Sequence, residues 1–287
     1  MMVNSMLANH EQPAVLSAVM KSQTTHRARL VMNDAMDVMG GAGICRGKNN
    51  MLGNQFMGMP IAITVEGANI LTRSMITFGQ GLNRAHPNLI KIVDTLEKGD
   101  DLKGFTKEAF GFLGHLGANT SRSLTRAVMR PRSRKDLPAY YEAQLGRLSS
   151  NFALSADLAL VLGGRLKFEE MLSGRFADAF GTLYLGYSCL WYYKQLEASG
   201  KLQFIGRDSF FGTPLECIVK LLISLSPLHY TDCAGADMSG MEDILEISME
   251  QLLLENQNAI YGLAENFPVP VIGPLISTLC FPFGKYH

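Results

Sequence analysis

Near the N-terminus, apolar residues recur at three- and four-residue intervals: Val15, Leu16, Val19 and Met20, then Ala28, Val31, Met32, Ala35 and Met39. This spacing predicts one long amphipathic helix from Pro13 to Met39. A proline with its preset φ opens it, and Gly40-Gly41-Ala42-Gly43 closes it, as glycines past a helix C-terminus do. Ile44 to Met59, with its glycines and asparagines, reads as ordered loop, and Pro60-Ile61-Ala62-Ile63-Thr64-Val65 as a short extended segment. After Glu66-Gly67, the positions Ile70, Leu71, Met75 and Phe78 mark another helix, closed by Gly79-Gln80-Gly81.

Helical spacing continues downstream. One helix is expected over His86 to Asp101, another over Phe105 to Met129, and one or two over Leu137 to Ser199 with a break near Gly163-Gly164. The last long helix runs from about Met241 to Phe267. The tail to Phe283 carries Pro268, Pro270, Pro274 and Pro282, too many for one continuous helix. No asparagine-glycine hairpin joins alternating runs, and strands do not alternate with helices. The expected fold is all-α, a helical bundle with an additional C-terminal helical region.

Composition narrows the function. The 287 residues carry 26 basic and 26 acidic side chains, a balance that argues against nucleic-acid binding. The five cysteines (Cys45, Cys189, Cys217, Cys233 and Cys280) never fall as C-x-x-C, which suits free thiols in a reducing compartment rather than disulfides or zinc. No basic segment leads into an apolar run at Met1-Met2-Val3-Asn4-Ser5, so no signal peptide is expected, and no apolar stretch is long enough to span a bilayer.

Several catalytic patterns fail on spacing. Gly41-Ala42-Gly43 follows a helix rather than a strand and its next glycine, Gly47, is one residue too far for a dinucleotide fingerprint. Gly186-Tyr187-Ser188-Cys189-Leu190 lacks the final glycine of a nucleophile elbow. The six histidines stand isolated in sequence, so no metal site is expected. Arg122, Arg126 and Arg130, followed by Arg132, Arg134 and Lys135, recur along one helix face. Such a run reads as a solvated face or as a contact for anionic lipid headgroups.

Glu66 stands apart. It sits between the apolar Ile61–Val65 run and a helix start, where a carboxylate either complements the helix dipole or serves as a general base. Apolar neighbours would raise the pKa of such a base by desolvation, and Gly67 leaves its side open to a ligand.

Three features fall in order: Asp37-Val38-Met39-Gly40-Gly41-Ala42-Gly43-Ile44, Ile63-Thr64-Val65-Glu66-Gly67-Ala68, and Arg73. They resemble the acyl-CoA dehydrogenase family, which carries a glutamine-x-x-Gly-Gly-x-Gly-aromatic motif. Further along, that family has an apolar-Tyr-Glu-Gly-Thr segment followed by a helix with a nearby arginine. The family's glutamine, aromatic and threonine are here Asp37, Ile44 and Ala68. Pro13 to Ser17, Asn33 to Asp37, Pro60 to Arg73 and Phe281 to Gly284 are similar to the bacterial fatty-acid β-oxidation branch with a long C-terminal region.

The resemblance implies that Glu66 takes the α-proton of an acyl thioester, with its backbone N–H helping to hold the carbonyl. It also implies FAD as hydride acceptor, with Gly40, Gly41, Gly43 and Gly67 on the cofactor side, and trans-2-enoyl-CoA as product. Residues 1–85 would then be the end of the catalytic helical domain and residues 86–287 the bacterial-type extension. The family's N-terminal helical and β domains do not appear in these residues, so the chain is expected to be part of a larger enzyme or to work beside another subunit. Its implied partners are an acyl-CoA of medium or long chain and an electron-transfer flavoprotein. The implied location is cytoplasmic, with peripheral contact at the inner face of the cell membrane left open. A reading from another class is a non-catalytic helical binding or membrane-docking module that keeps Glu66 by descent.

Overall fold

A computed structural model describes residues 2–74, 86–98, 102–129, 134–198 and 238–284. Among them every regular element is a helix, as the periodicity predicts. In chain order these are α1 (Met2–Ala8), α2 (Ala14–Met39), α3 (Gly41–Ile44), α4 (Gly53–Thr64), α5 (Asn69–Leu71) and α6 (Leu89–Lys98). Then come α7 (Leu102–Val128), α8 (Leu137–Ala159), a 3-10 segment Leu160–Lys167, α9 (Glu170–Ala198), α10 (Met238–Glu265) and α11 (Ile272–Cys280). The expected break near Gly163-Gly164 is present: Gly163 takes φ 52° and ψ −130°, which no α-helix accommodates. The helix end expected at Gly79-Gln80-Gly81 lies outside the described residues.

The Gly40–Val65 stretch corrects two expectations. It is not a loop followed by an extended segment, because α3 and α4 occupy most of it and Pro60 lies inside α4. Asn50 supplies the reason. Its Oδ1 accepts from the N–H groups of Leu52 and Gly53 at 3.0 and 2.8 Å, giving the first turn of α4 partners it would otherwise lack. Its Nδ2 donates to the carbonyls of Gly43 and Cys45, which holds the approach to the helix. With the start fixed, α4 runs past the proline, and Thr64 Oγ1 closes the last turn on the carbonyl of Pro60 at 2.9 Å. In α11, Pro274 is at the third position, where a missing N–H costs no intrahelical bond.

Chain contacts divide the molecule into two compact units. One comprises Met1–Pro13, Met20–Thr72 and Ser188–Ser248, and the other Ala14–Val19, Arg73–Tyr187 and Met249–His287. In the second unit α7 packs along α8, with α6 against α7 and α11 against both α7 and α8. Its apolar core includes Tyr141, Leu145, Leu148, Leu154, Phe176, Ile260, Leu263 and Ile276. Phe152 packs edge-on to Phe176 and stacks on Phe180. Several polar groups buried in this core are paired across helices. Ser123 Oγ donates to Asn151 Oδ1 at 2.8 Å, and Asn151 Nδ2 to the carbonyl of Cys280 at 3.2 Å. Asn256 Nδ2 on α10 donates to the carbonyl of Ala179 and to Thr182 Oγ1 on α9. No helix among the described residues is long and apolar enough to cross a membrane.

Candidate functional site

Glu66 lies on the three-residue link between α4 and the N-cap of α5, Ala68, so it adjoins a helix start as expected. What precedes it is a helix end, not an extended strand. Its backbone is unusual. Glu66 has φ 53°, one of two non-glycine residues with positive φ among those described, and Gly67 follows at φ 87°. Left-handed backbone at a glutamate costs about 1–3 kcal/mol and persists only where the surroundings hold it. Among the described residues the side chain is exposed, not covered by the apolar neighbours that precede it in sequence.

The hold comes from α2. Lys21 Nζ donates to the carbonyl of Gly67 at 2.6 Å, to Asn69 Oδ1 at 2.8 Å and to the carbonyl of Ile63 at 3.3 Å. An ammonium has three N–H donors, and these three acceptors lie on both sides of Glu66. Asn69 is tied to the same helix through Nδ2, which donates to Thr25 Oγ1 at 2.8 Å and to the carbonyl of Ser22 at 3.4 Å. Thr72 Oγ1 adds bonds to the carbonyls of Gly67 and Ala68. Sequence reasoning missed Lys21. It stands forty-six positions from Gly67, and nothing local to it announces a role.

Of the predicted cofactor glycines, Gly40, Gly41 and Gly43 lie at the junction of α2 and α3, and Gly67 lies on the α4–α5 link. Gly40, at φ 56°, donates its N–H back to the carbonyls of Met36 and Asp37, and Gly43 donates to the carbonyl of Gly40. The two amides are therefore engaged within the turn. A Cβ placed on Gly40 or Gly41 would meet nothing within 4 Å, whereas Gly43 is buried against Met36 and Met39. The neighbouring Asp37 is exposed and opposes a bound diphosphate. These residues alone do not make a flavin cradle. The turn offers at most an open backbone face.

Arg73, the arginine of the second motif, is held by Asp178 of α9. Nε donates to Oδ1 at 2.6 Å and Nη2 to Oδ2, a two-point ion pair. The hydrogen bond to this carboxylate is the main cause that raises the guanidinium pKa further.

The histidines are not all isolated, which corrects the sequence reading. His86 and His115 both reach the buried carboxylate of Asp157, with His86 Nε2 at 3.3 Å from Oδ1 and His115 Nδ1 at 3.1 Å from Oδ2. Asn119 Nδ2 donates to the same Oδ2 at 2.8 Å. Two imidazoles and a carboxylate within 4.8 Å of one another match a metal-ligand set by type. The hydrogen bonds of His86 speak against that use. Its Nδ1 accepts from the N–H groups of Asn88 and Leu89 at 3.2 and 3.1 Å, capping α6, so in a neutral ring the proton sits on Nε2 and faces Asp157. A ligating histidine has the opposite arrangement, with its outer nitrogen donating. The cluster ties α6, α7 and α8 together. Burial holds the His86 pKa below its ordinary value, with the Asp157 charge opposing.

Of the arginine run, Arg122 and Arg126 are exposed on α7, while the adjacent Ser123 and Ala127 are buried. Arg126 Nη1 is bonded to the carbonyl of Gly146 and to Ser150 Oγ. Arg134 pairs with Glu250 at 3.0 Å and covers the ring of Tyr140. Arg130 and Arg132 lie outside the described residues.

Residues 83–204 match the family described as acyl-CoA dehydrogenase, C-terminal, bacterial type. No solved structure matches the chain.

Proposed function

We propose, from the match of residues 83–204 to the bacterial-type acyl-CoA dehydrogenase C-terminal family, that the chain forms part of an acyl-CoA dehydrogenase and that Glu66 is its base. The observation that carries this reading is the conformation of Glu66. An exposed carboxylate stands on left-handed backbone, fastened on both flanks, directly ahead of the matched region. Strain kept in place by its surroundings is characteristic of functional positions. An acyl-CoA docking over the link would cover the exposed carboxylate and bring its α-carbon within reach of it.

In this role Glu66 accepts the α-proton of a medium- or long-chain acyl thioester, on the way to the trans-2-enoyl-CoA. The acceptor for the β-hydrogen is FAD in this family, and holding it falls to segments other than the Gly40–Gly43 turn. The proposed assembly therefore includes the family's N-terminal helical and β domains, in the same polypeptide or another subunit, with an electron-transfer flavoprotein as reoxidant. Phe56, Met57 and Ile61 are exposed on α4, an apolar surface that suits burial against such domains. Residues 1–85 act as the catalytic end and 86–287 as the extension. A cytoplasmic location follows from this reading, and exposed Arg122 and Arg126 are the side chains that would meet anionic lipid at a membrane face.

The test is Glu66→Gln in the complete enzyme containing this segment. Glutamine keeps the volume and one acceptor oxygen but removes the base, so enoyl-CoA formation should fall by roughly 10² to 10⁴ while acyl-CoA binding changes little. Glu66→Asp should lose less. A Glu66→Gln enzyme within a few-fold of the parent would overturn the assignment and favour a non-catalytic docking module.

A further inference from the structure

We infer that Lys21 is a positioning residue for Glu66, an inference that rests on the reading of Glu66 as the base. Besides Lys21, the link from Val65 to Ala68 is held on its C-terminal side by Thr72 Oγ1, which bonds the carbonyls of Gly67 and Ala68. Glu66 and Gly67 both take positive φ, which costs free energy at the glutamate, and the Glu66 side chain is exposed rather than packed. Helix α4 ends with its last bond from Val65 N–H to the carbonyl of Ile61, and α5 begins only after Ala68. Between these two helix ends the carbonyl of Gly67 accepts at 2.6 Å from Lys21, and the carbonyl of Ile63 accepts at 3.3 Å from the same nitrogen. The third donor of that ammonium goes to Asn69 Oδ1 at the start of α5.

One cation on α2 thus joins the end of α4, the residue after Glu66 and the first residue of α5. The span from Ile63 to Asn69 can relax to ordinary φ at Glu66 only by giving up at least one of these bonds. Asn69 reinforces the arrangement, because its amide is itself held by Ser22, next to Lys21 on α2, and by Thr25, one turn further along. An arginine would retain charge and donors but place them in a planar fork, reproducing the three directions only in part. The reach of a proton-abstracting carboxylate is a matter of about an ångström, and a misplacement of that size costs up to ~10²-fold in rate. Lys21 acts through the backbone of the link and on the chemical step, not on binding the acyl-CoA.

The test compares Lys21→Met, Lys21→Arg, Asn69→Ala and Glu66→Gln in the complete enzyme containing this chain. Steady-state kinetics are measured with acyl-CoA carrying hydrogen or deuterium at the α-carbon. Lys21→Met keeps the aliphatic stem and removes all three donors. Its kcat should fall about 10- to 100-fold with KM within about three-fold, and the α-deuterium isotope effect on kcat should rise. Lys21→Arg should recover part of the loss. Should Lys21→Met fail to fold, Asn69→Ala decides, because it removes one acceptor and leaves the Gly67 bond. It should lower kcat several-fold with KM held. An unchanged kcat and isotope effect in the folded Lys21→Met enzyme, or in Asn69→Ala where that variant decides, would overturn the positioning role while Glu66→Gln stays inactive and the base stands. Equal loss in kcat and gain in KM with no rescue by arginine would also overturn it, as general damage to the fold. A Glu66→Gln enzyme that retains activity removes the base and this inference with it.

Discussion

Two regions of this chain, the one around Glu66 and the one around Asp157, keep their shape by different means. Around Glu66, helix α4 carries Phe56, Met57, Met59, Ile61 and Ile63, yet none of its residues is buried, and the adjoining link is held by hydrogen bonds from Lys21 and Thr72. Around Asp157, helix α8 buries thirteen of its twenty-three residues, and its Asn151 and Asp157 side chains are hydrogen-bonded across helices within an apolar core. Packing specifies the second region whatever else binds. The first is held at a few polar points while its apolar surface stays open, an arrangement suited to a site that other domains and a substrate complete.

Core truncations should separate the regions most strongly. Phe176 is fully buried against Phe152, and Phe176→Ala should cost about 3–5 kcal/mol in urea unfolding. Phe56 on α4 is 41% exposed, and Phe56→Ala should fall within about 0.5 kcal/mol of the parent. Equal costs would erase the distinction.

A smaller effect comes from the histidine cluster. Burial lowers the folded-state pKa of His86 from its ordinary 6.5, so on acidification the unfolded chain takes up a proton there first. The contribution is fully present above pH 6.5 and is lost as pH falls from there through the folded-state value. Protonation also places a hydrogen on Nδ1 against the α6 N–H groups it caps. Stability measured between about pH 5 and 8 should therefore decline on the acid side in the parent and less so in His86→Gln. Matching profiles would remove His86 as the cause.

The mildest probe changes no residue. Cys280 is buried, and desolvation pushes its thiol up to about 12, whereas Cys45 is exposed. Iodoacetamide followed by peptide mass analysis should label Cys45 promptly and Cys280 only on unfolding. Prompt labelling of Cys280 would mean that the packed region opens readily.

Much of this architecture was legible because helical periodicity over long segments is a strong signal. The long α2, the kink at Gly163 and the break in the proline-bearing tail all follow from residue spacing and backbone rules. Pro60 misled because proline and β-branched neighbours argue against helix locally, while the Asn50 bonds that start α4 depend on how the preceding turn folds back. Glu66 stood out by its motif, but its exposure could not be read from apolar neighbours in sequence. Lys21 and the His86–Asp157–His115 cluster escaped notice because they join residues forty or more positions apart.

Proton abstraction itself gives the most direct test of Glu66. The complete enzyme containing this chain is incubated in deuterium oxide with a 3-thia-acyl-CoA, whose β-position carries no hydrogen to lose, and α-deuterium incorporation is followed by NMR. The account predicts incorporation by the parent, a loss of at least about 10²-fold in Glu66→Gln, and partial retention in Glu66→Asp. Incorporation by Glu66→Gln at the parent's rate would contradict it, because another group would then be removing the proton.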